Sequence, residues 1–123
     1  MAWELKSDRS IYLQLMEYIQ RRIVSGEYQS GDKLPSVREL AADAEVNPNT
    51  MQKALAELER GGLIYTNRTS GRFITQDEAL IQETKHALAK DQLSDFLEKM
   101  KQLGFVNKDI KNILLEAVKE LEQ

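Results

Sequence analysis

The sequence predicts a mainly α-helical fold that contains one small β-hairpin, and three observations lead to this expectation. Apolar residues recur at intervals of three and four along most of the 123-residue chain, which is the spacing of one helix face. Capping residues and glycines interrupt this pattern, so several separate helices are expected. Residues 63–75 instead carry two short β-prone runs around a glycine-containing loop, which is typical of a hairpin.

The first predicted helix runs from about Ser10 to Val24. Its apolar face is marked by residues four positions apart, and Ser10 can cap its first turn. Gly26 lies where a left-handed residue commonly ends a helix. Residues 28–35 are rich in glycine, serine and proline, and we expect them to form a turn that breaks the chain.

Two further helices are predicted between this turn and the hairpin. The first begins at the capping box formed by Ser36 and Glu39 and runs to about Asp43. The next begins with Asn47 as cap and Pro48 in its first turn, and it ends at the glycine pair 61–62. Its apolar face carries four residues at helical spacing, namely Met51, Ala54, Leu55 and Leu58.

Two helices joined by about four residues match the helix-turn-helix layout, although an ordinary helical hairpin would give the same pattern. The hairpin that follows pairs residues 63–66 with residues 72–75, and its loop region carries Arg68 and Arg72. A basic hairpin directly after such a helix is typical of a wing, whose arginines can reach phosphates or the minor groove. We therefore predict a winged helix-turn-helix over residues 1–76.

Residues 77–123 predict a helical tail. One helix is expected over residues 78–103, with Gly104 closing it, and a last helix is expected to begin with Asn107 as its cap. Two amphipathic helices need a partner for their apolar faces, and a second copy of the chain is the simplest one, although the helices could also fold back on their own domain. The residues expected at this dimer interface are Leu88, Leu93, Phe96, Leu97, Met100, Leu103, Ile110, Ile113, Leu114 and Ala117.

Composition excludes several function classes. The chain has no cysteine and a single histidine, His86, so we expect no disulfide, metal site or cofactor. No catalytic constellation is recognisable, which argues against an enzyme. No apolar run approaches the ~20 residues of a membrane span, and no secretory signal is present, which together favour the cytoplasm. All seven arginines lie within residues 1–75, whereas the tail carries the net charge of −3.

The sequence resembles the GntR family of bacterial regulators in the order and spacing of its motifs and in its turn residues. The segments that carry the resemblance are residues 11–15, 31–41, 46–55 and 58–64. The resemblance covers roughly residues 10–75, and the short two-helix tail is similar to the YtrA subfamily. It implies a transcription regulator, most simply a repressor, that binds a palindromic operator in double-stranded DNA as a homodimer. Whether a small-molecule effector releases it stays open, and a winged helix reused for protein interaction is the alternative.

The resemblance also implies roles for individual residues. Arg38 is expected to contact phosphate or base, the exposed first turns of the third helix are expected to face the major groove, and Gly71 is expected to approach the minor groove. Pro48 and Gln52 replace arginines that some relatives carry, so Gln52 or Asn49 is expected to read adenine. The residues expected at DNA are Arg38, Asn47, Pro48, Asn49, Thr50, Gln52, Lys53, Arg68, Gly71 and Arg72, with Lys53 alternatively an idle surface residue.

Overall fold

The computed structural model describes residues 3–122, and within them it contains five helices and one two-stranded antiparallel sheet. The mainly α-helical class with a small hairpin is therefore confirmed. The chain forms two compact units, of which the first ends at Lys85 and the second begins at His86. In chain order the elements are α1 (Ile11–Val24), α2 (Val37–Ala44), α3 (Pro48–Arg60), β1 (Ile64–Asn67), β2 (Gly71–Ile74), α4 (Glu78–Gln102) and α5 (Asn107–Leu121).

The first three helices begin where the capping residues predict. Ser10, Ser36 and Asn47 each accept a hydrogen bond from a backbone N–H of the following turn, at 3.4, 3.2 and 2.8 Å respectively. Pro48 is the first residue of α3, where its missing N–H costs no helical hydrogen bond. Between α2 and α3 the chain turns at Glu45, whose φ of 58° places it in the left-handed region. The tight turn of the helix-turn-helix is thus present.

The core of the first unit combines α1, α2, α3 and the hairpin with the first turns of α4. Ile81 of α4 is buried in this core, and Leu80 packs against it. For this reason the unit extends to Lys85, past the boundary that the sequence suggests before residue 77. The largest fully buried side chains of the core are Leu15, Ile19, Met51, Leu55, Leu58, Ile64 and Ile74.

The segment that precedes α1 is tied to the helices by side chains. The indole Nε1 of Trp3 donates to Asp43 at 2.7 Å, and the guanidinium carbon of Arg22 lies 4.3 Å from the centre of the Trp3 ring. The buried side-chain amide of Gln14 both accepts from the backbone N–H of Lys6 and donates to its carbonyl, each at 2.7 Å. Trp3 is therefore a packing residue, since its ring and its N–H are both engaged within the fold.

Residues 31–34 do more than form the predicted turn, because they pair with β2. The backbone N–H of Ile74 donates to the Asp32 carbonyl at 2.8 Å, and the Leu34 N–H donates to the Arg72 carbonyl at 2.9 Å. This pairing adds a short extended segment to the edge of the hairpin, opposite β1. It fixes the wing beside the loop that leads into α2.

The second unit contains the C-terminal part of α4 and all of α5. Gly104 follows α4 with a φ of 93°, the left-handed conformation expected of a residue that ends a helix. The prediction that Asn107 caps α5 is wrong. Val106 occupies the cap position in an extended conformation, and Asn107 is already the first residue of the helix. Since valine has no side-chain acceptor, the start of α5 has no side-chain cap hydrogen bond.

The two glycines after α3 predict opposite effects of the same substitution. Gly61 has a φ of −78°, and an added Cβ would meet nothing closer than 3.7 Å. Gly62 has a φ of 86°, and an added Cβ would lie 3.3 Å from Leu80 Cδ2. Gly61→Ala should therefore stabilise the fold by about 0.4–1 kcal/mol, because it reduces only the entropy of the unfolded chain. Gly62→Ala should destabilise it by about 1–2 kcal/mol.

Urea unfolding of the wild type and the two single variants measures this difference. Each variant is the control for the other, since both add one methyl group at neighbouring positions. Equal shifts of the unfolding midpoint in the two variants would contradict the described C-terminal end of α3.

Candidate nucleic-acid interface

A groove lies between the first turn of α2 and the hairpin. Residues 33–39 line one wall, and hairpin residues between Thr66 and Arg72 line the other, around a volume of about 860 Å³. We call it the basic groove, because Lys33, Arg38, Arg68 and Arg72 all contribute to its walls. The pairing of residues 31–34 with β2 brings the two walls together.

The charge of the basic groove is unbalanced. Its four cationic side chains meet a single carboxylate, that of Glu39, among the lining residues. Within residues 3–122 none of these four cations forms an ion pair, whereas the ion pairs found there lie elsewhere, for example between Arg60 and Glu57 at 2.8 Å. The N-terminus of α2 adds partial positive charge from its unpaired backbone N–H groups. Such a groove suits a polyanion.

The exposed face of α3 lies on the opposite side from its buried apolar face. Asn49 and Gln52 are exposed on it, as are Asn47 and Pro48 at its start. Thr50 is half-buried, unlike these exposed neighbours. Less of its side chain is therefore available for contacts than the sequence suggests. These side chains carry amide and hydroxyl groups, which can hydrogen-bond to base edges.

Lys53 is exposed, and its ammonium group contacts an aromatic ring of the neighbouring helix. Its ammonium nitrogen lies 4.6 Å from the centre of the Tyr12 ring of α1. This distance is that of a cation–π contact. The contact holds the charge of Lys53 beside the first half of α3.

Two side-chain hydrogen bonds connect α3 to the wing. The hydroxyl of Thr66 in β1 donates to the carboxylate of Glu59, and Arg72 in β2 donates to Gln52. Nη2 of Arg72 in β2 lies 3.1 Å from Oε1 of Gln52. The Arg72 side chain is half-buried, and its Nε is buried with no hydrogen-bond partner in the described part of the chain. Two residues that the sequence places independently at DNA are therefore in contact with each other.

The wing ends in a turn between β1 and β2. The side-chain oxygen of Asn67 accepts from the backbone N–H of Thr69 at 3.1 Å, which closes the turn, and Arg68 beside it is exposed. Gly71 has a φ of 110°, and an added Cβ would lie 3.3 Å from Lys33 Cε. Gly71 thus permits close approach of the loop before α2 as well as an unusual backbone conformation.

Lys33 is a groove residue that the sequence pattern does not predict. It lies three positions before the capping serine, in a segment that was expected only to turn. The charge next to the capping box was a usable signal. Its partner wall could not be identified, because the hairpin is about 35 residues further along the chain.

The residues expected at the dimer interface differ in exposure. Leu93, Phe96, Leu103 and Ile113 are among the exposed large apolar side chains, and Ala117 is also exposed. A further four, Leu88, Leu97, Met100 and Leu114, are half-buried. In contrast, Ile110 is only 3% exposed within its own chain, so it has little surface left for a partner.

The second unit carries most of the exposed apolar surface. Of the eleven large apolar side chains that are exposed between residues 3 and 122, nine lie at or beyond Leu93. A shallow groove of about 580 Å³ lies between α4 and α5. Aliphatic side chains of both helices line it, including Leu97 and Leu114. Such an extended apolar face is typical of a surface that another molecule covers.

Residues 3–122 lack two other kinds of feature. No group of three or more histidine, aspartate and glutamate residues there is arranged to hold a metal ion. No helix in this range is long and apolar enough to cross a membrane.

Comparisons with known proteins agree with this geometry. The sequence profile of bacterial regulatory proteins of the gntR family matches residues 11–74, which contain α1, α2, α3 and the hairpin. The chain is 40% identical over 116 residues to the uncharacterised HTH-type transcriptional regulator YhcF of Bacillus subtilis, covering 94% of this chain and 93% of the relative. It is also 40% identical over 93 residues to the HTH-type transcriptional repressor YtrA of the same organism, covering 75% and 72% respectively.

Solved structures agree as well. A GntR family transcriptional regulator from Listeria monocytogenes superposes with a TM-score of 0.81 at 40% identity, covering 91% of this chain and 98% of that one. The DNA-binding domain of AraR in complex with operator ORX1 superposes with a TM-score of 0.52 at 28% identity, covering 61% and 92%. By sequence and by fold, the chain belongs to the GntR family and is a DNA-binding transcriptional regulator.

Proposed function

We propose that the protein is a homodimeric repressor that occupies a palindromic operator in double-stranded DNA. The basic groove is the observation that carries this proposal. Its cations are not committed to ion pairs among the described residues, and it lies in the same compact unit as the exposed polar face of α3. Phosphate neutralisation and base reading are the two tasks of a specific DNA-binding surface.

Each part of the surface then has a task. Lys33 and Arg38 bind phosphates along one strand, while Asn49 and Gln52 on α3 reach base edges in the major groove. Arg68 on the wing approaches the neighbouring minor groove. The similarity to the AraR domain supports this arrangement, since that domain is solved on an operator.

The first prediction for this surface concerns the salt dependence of binding. A cation at a phosphate releases counterions, so each lost contact lowers the slope of log affinity against log salt by about 1. Arg38→Ala removes the contact from both subunits of a dimer, and the slope should fall by about 2 while affinity drops for every DNA sequence. Fluorescence anisotropy with a labelled duplex at several salt concentrations gives both quantities.

Arg60→Ala is the matched control for Arg38→Ala. It removes the same charge from an arginine whose side chain is 76% exposed and paired with Glu57, at the far end of α3 from the capped start. Its slope should equal that of the wild type. If the two variants gave the same slope, Arg38 would have no place at the phosphate backbone.

Dimerisation follows from the needs of specificity and from the exposed apolar surface. One α3 offers only a few side chains to base edges, and each well-read base pair discriminates by ~1–3 kcal/mol. A second copy doubles this discrimination. It would also cover the apolar side chains of the second unit that water otherwise contacts. A two-fold dimer requires a palindromic operator, with half-sites about one helical turn, ~10 base pairs, apart.

Repression is the simplest outcome of such binding. A dimer on the operator covers DNA that RNA polymerase needs, so occupancy alone prevents transcription. The name of the relative YtrA, a transcriptional repressor, supports this outcome.

The prediction for the dimer uses residues that are exposed in the single chain. Leu93 is 48% and Phe96 36% exposed, so Leu93→Glu combined with Phe96→Glu should leave each chain folded and disrupt its association. Sedimentation velocity should show monomers at concentrations where the wild type is dimeric, and operator affinity should fall at least tenfold.

Leu13→Glu provides the matched control for these substitutions. Leu13 is a similarly exposed leucine, 50% accessible, and it lies on α1 in the first unit. This variant should remain dimeric. A dimer that persists in the double variant would place the interface outside the helical tail.

A further inference from the structure

The hydrogen bond between Arg72 and Gln52 fixes the orientation of the glutamine amide. An arginine side chain can only donate hydrogen bonds, so the atom of Gln52 that meets Nη2 of Arg72 at 3.1 Å is the carbonyl oxygen. The NH2 group lies on the other side of the amide and forms no hydrogen bond with any residue from 3 to 122. In the free protein Gln52 therefore offers donors.

Arg72 is held firmly enough to impose this orientation. Its carbonyl accepts from the Leu34 N–H at 2.9 Å, and Thr66 is its partner across the hairpin. Its side chain is half-buried, and its Nε is withdrawn from water without a partner among the described residues. The backbone of Arg72 is thus hydrogen-bonded to the 31–34 segment, and partial burial restrains its side chain. Arg72 is a positioning residue for Gln52.

The bases differ in what they offer to an amide held in this way. Adenine presents the N7 acceptor and the N6 donor, so a glutamine that pairs with it uses its NH2 group and its oxygen together. Guanine presents two acceptors, N7 and O6. The glutamine oxygen has two lone pairs and Arg72 occupies one of them, so adenine N6 has to share that oxygen with the Arg72 cation, whereas guanine needs only the NH2 group.

We propose that Arg72 sets the base preference of Gln52, so that Gln52 selects guanine while Arg72 holds its oxygen and adenine when Arg72 is removed. This reverses the adenine preference expected from the sequence. The inference rests on the proposed DNA-binding function and names the specificity of the same surface.

Selection of bound duplexes from random DNA tests the proposal with five proteins. These are the wild type, Gln52→Ala, Arg72→Met, Arg72→Lys and Arg68→Met. The operator position at which Gln52→Ala loses its preference is assigned to Gln52. At that position the wild type should prefer guanine over adenine by at least about fivefold, and Arg72→Met should prefer adenine.

The other two variants separate positioning from charge. Arg68→Met removes the same charge from the same hairpin, at a residue with no hydrogen bond to α3 among those described, and it should bind all sequences more weakly while keeping guanine. Arg72→Lys retains a donor and should keep guanine. The methionine in Arg72→Met retains the apolar stem, and unfolding curves verify that each variant is folded.

Several results would overturn the inference and leave the proposed function intact. One is a preference for adenine at the assigned position in the wild type, and another is a preference for guanine that persists in Arg72→Met. A preference for adenine in Arg72→Lys or Arg68→Met would also do so. The last is that Gln52→Ala loses its base preference at no position. If Arg72→Met is unfolded, the Arg72→Lys result and the wild-type base decide the question. Failure of the wild type to select any sequence would overturn the proposed function itself.

Discussion

The backbone pairing of residues 31–34 with β2 is the constraint on which the candidate interface depends. Without it, the hairpin would be joined to the rest of the first unit by the apolar residues at its base and by side-chain hydrogen bonds to α3. With it, the Leu34 N–H donates to the Arg72 carbonyl and the Ile74 N–H donates to the Asp32 carbonyl. The loop that leads to α2 therefore cannot move independently of the wing. The first turn of α2 and the hairpin therefore remain opposite each other, which is the geometry of the basic groove.

The same pairing links the basic groove to α3. Arg72 receives the Leu34 hydrogen bond on its backbone and gives one to Gln52 from its side chain. A single strand residue thus connects the wall of the basic groove with the exposed face of α3. A change in the wing should be felt at α3, because the contact between them is a directional hydrogen bond as well as apolar packing.

The elements of this fold could be predicted from the sequence because their signals are local. Ser36 and Asn47 cap the helices that follow them, and Gly104 ends α4, as their residue types indicate. The features that the sequence did not reveal are long-range or leave no side-chain pattern. Leu34 and Arg72 are joined by backbone atoms that every residue carries, and Gln52 and Arg72 are twenty residues apart. At α5 the asparagine suggested a cap, but the chain enters the helix one residue earlier, at Val106.

In the proposed complex, DNA occupies the basic groove and the exposed face of α3. The most direct test of this placement is an NMR titration of the isotopically labelled protein with a duplex selected from random DNA, with every backbone amide followed. We expect the largest chemical-shift changes at residues 33–39, 48–53 and 67–72, and small changes beyond residue 86. Changes concentrated beyond residue 86, with the groove residues unaffected, would contradict the account.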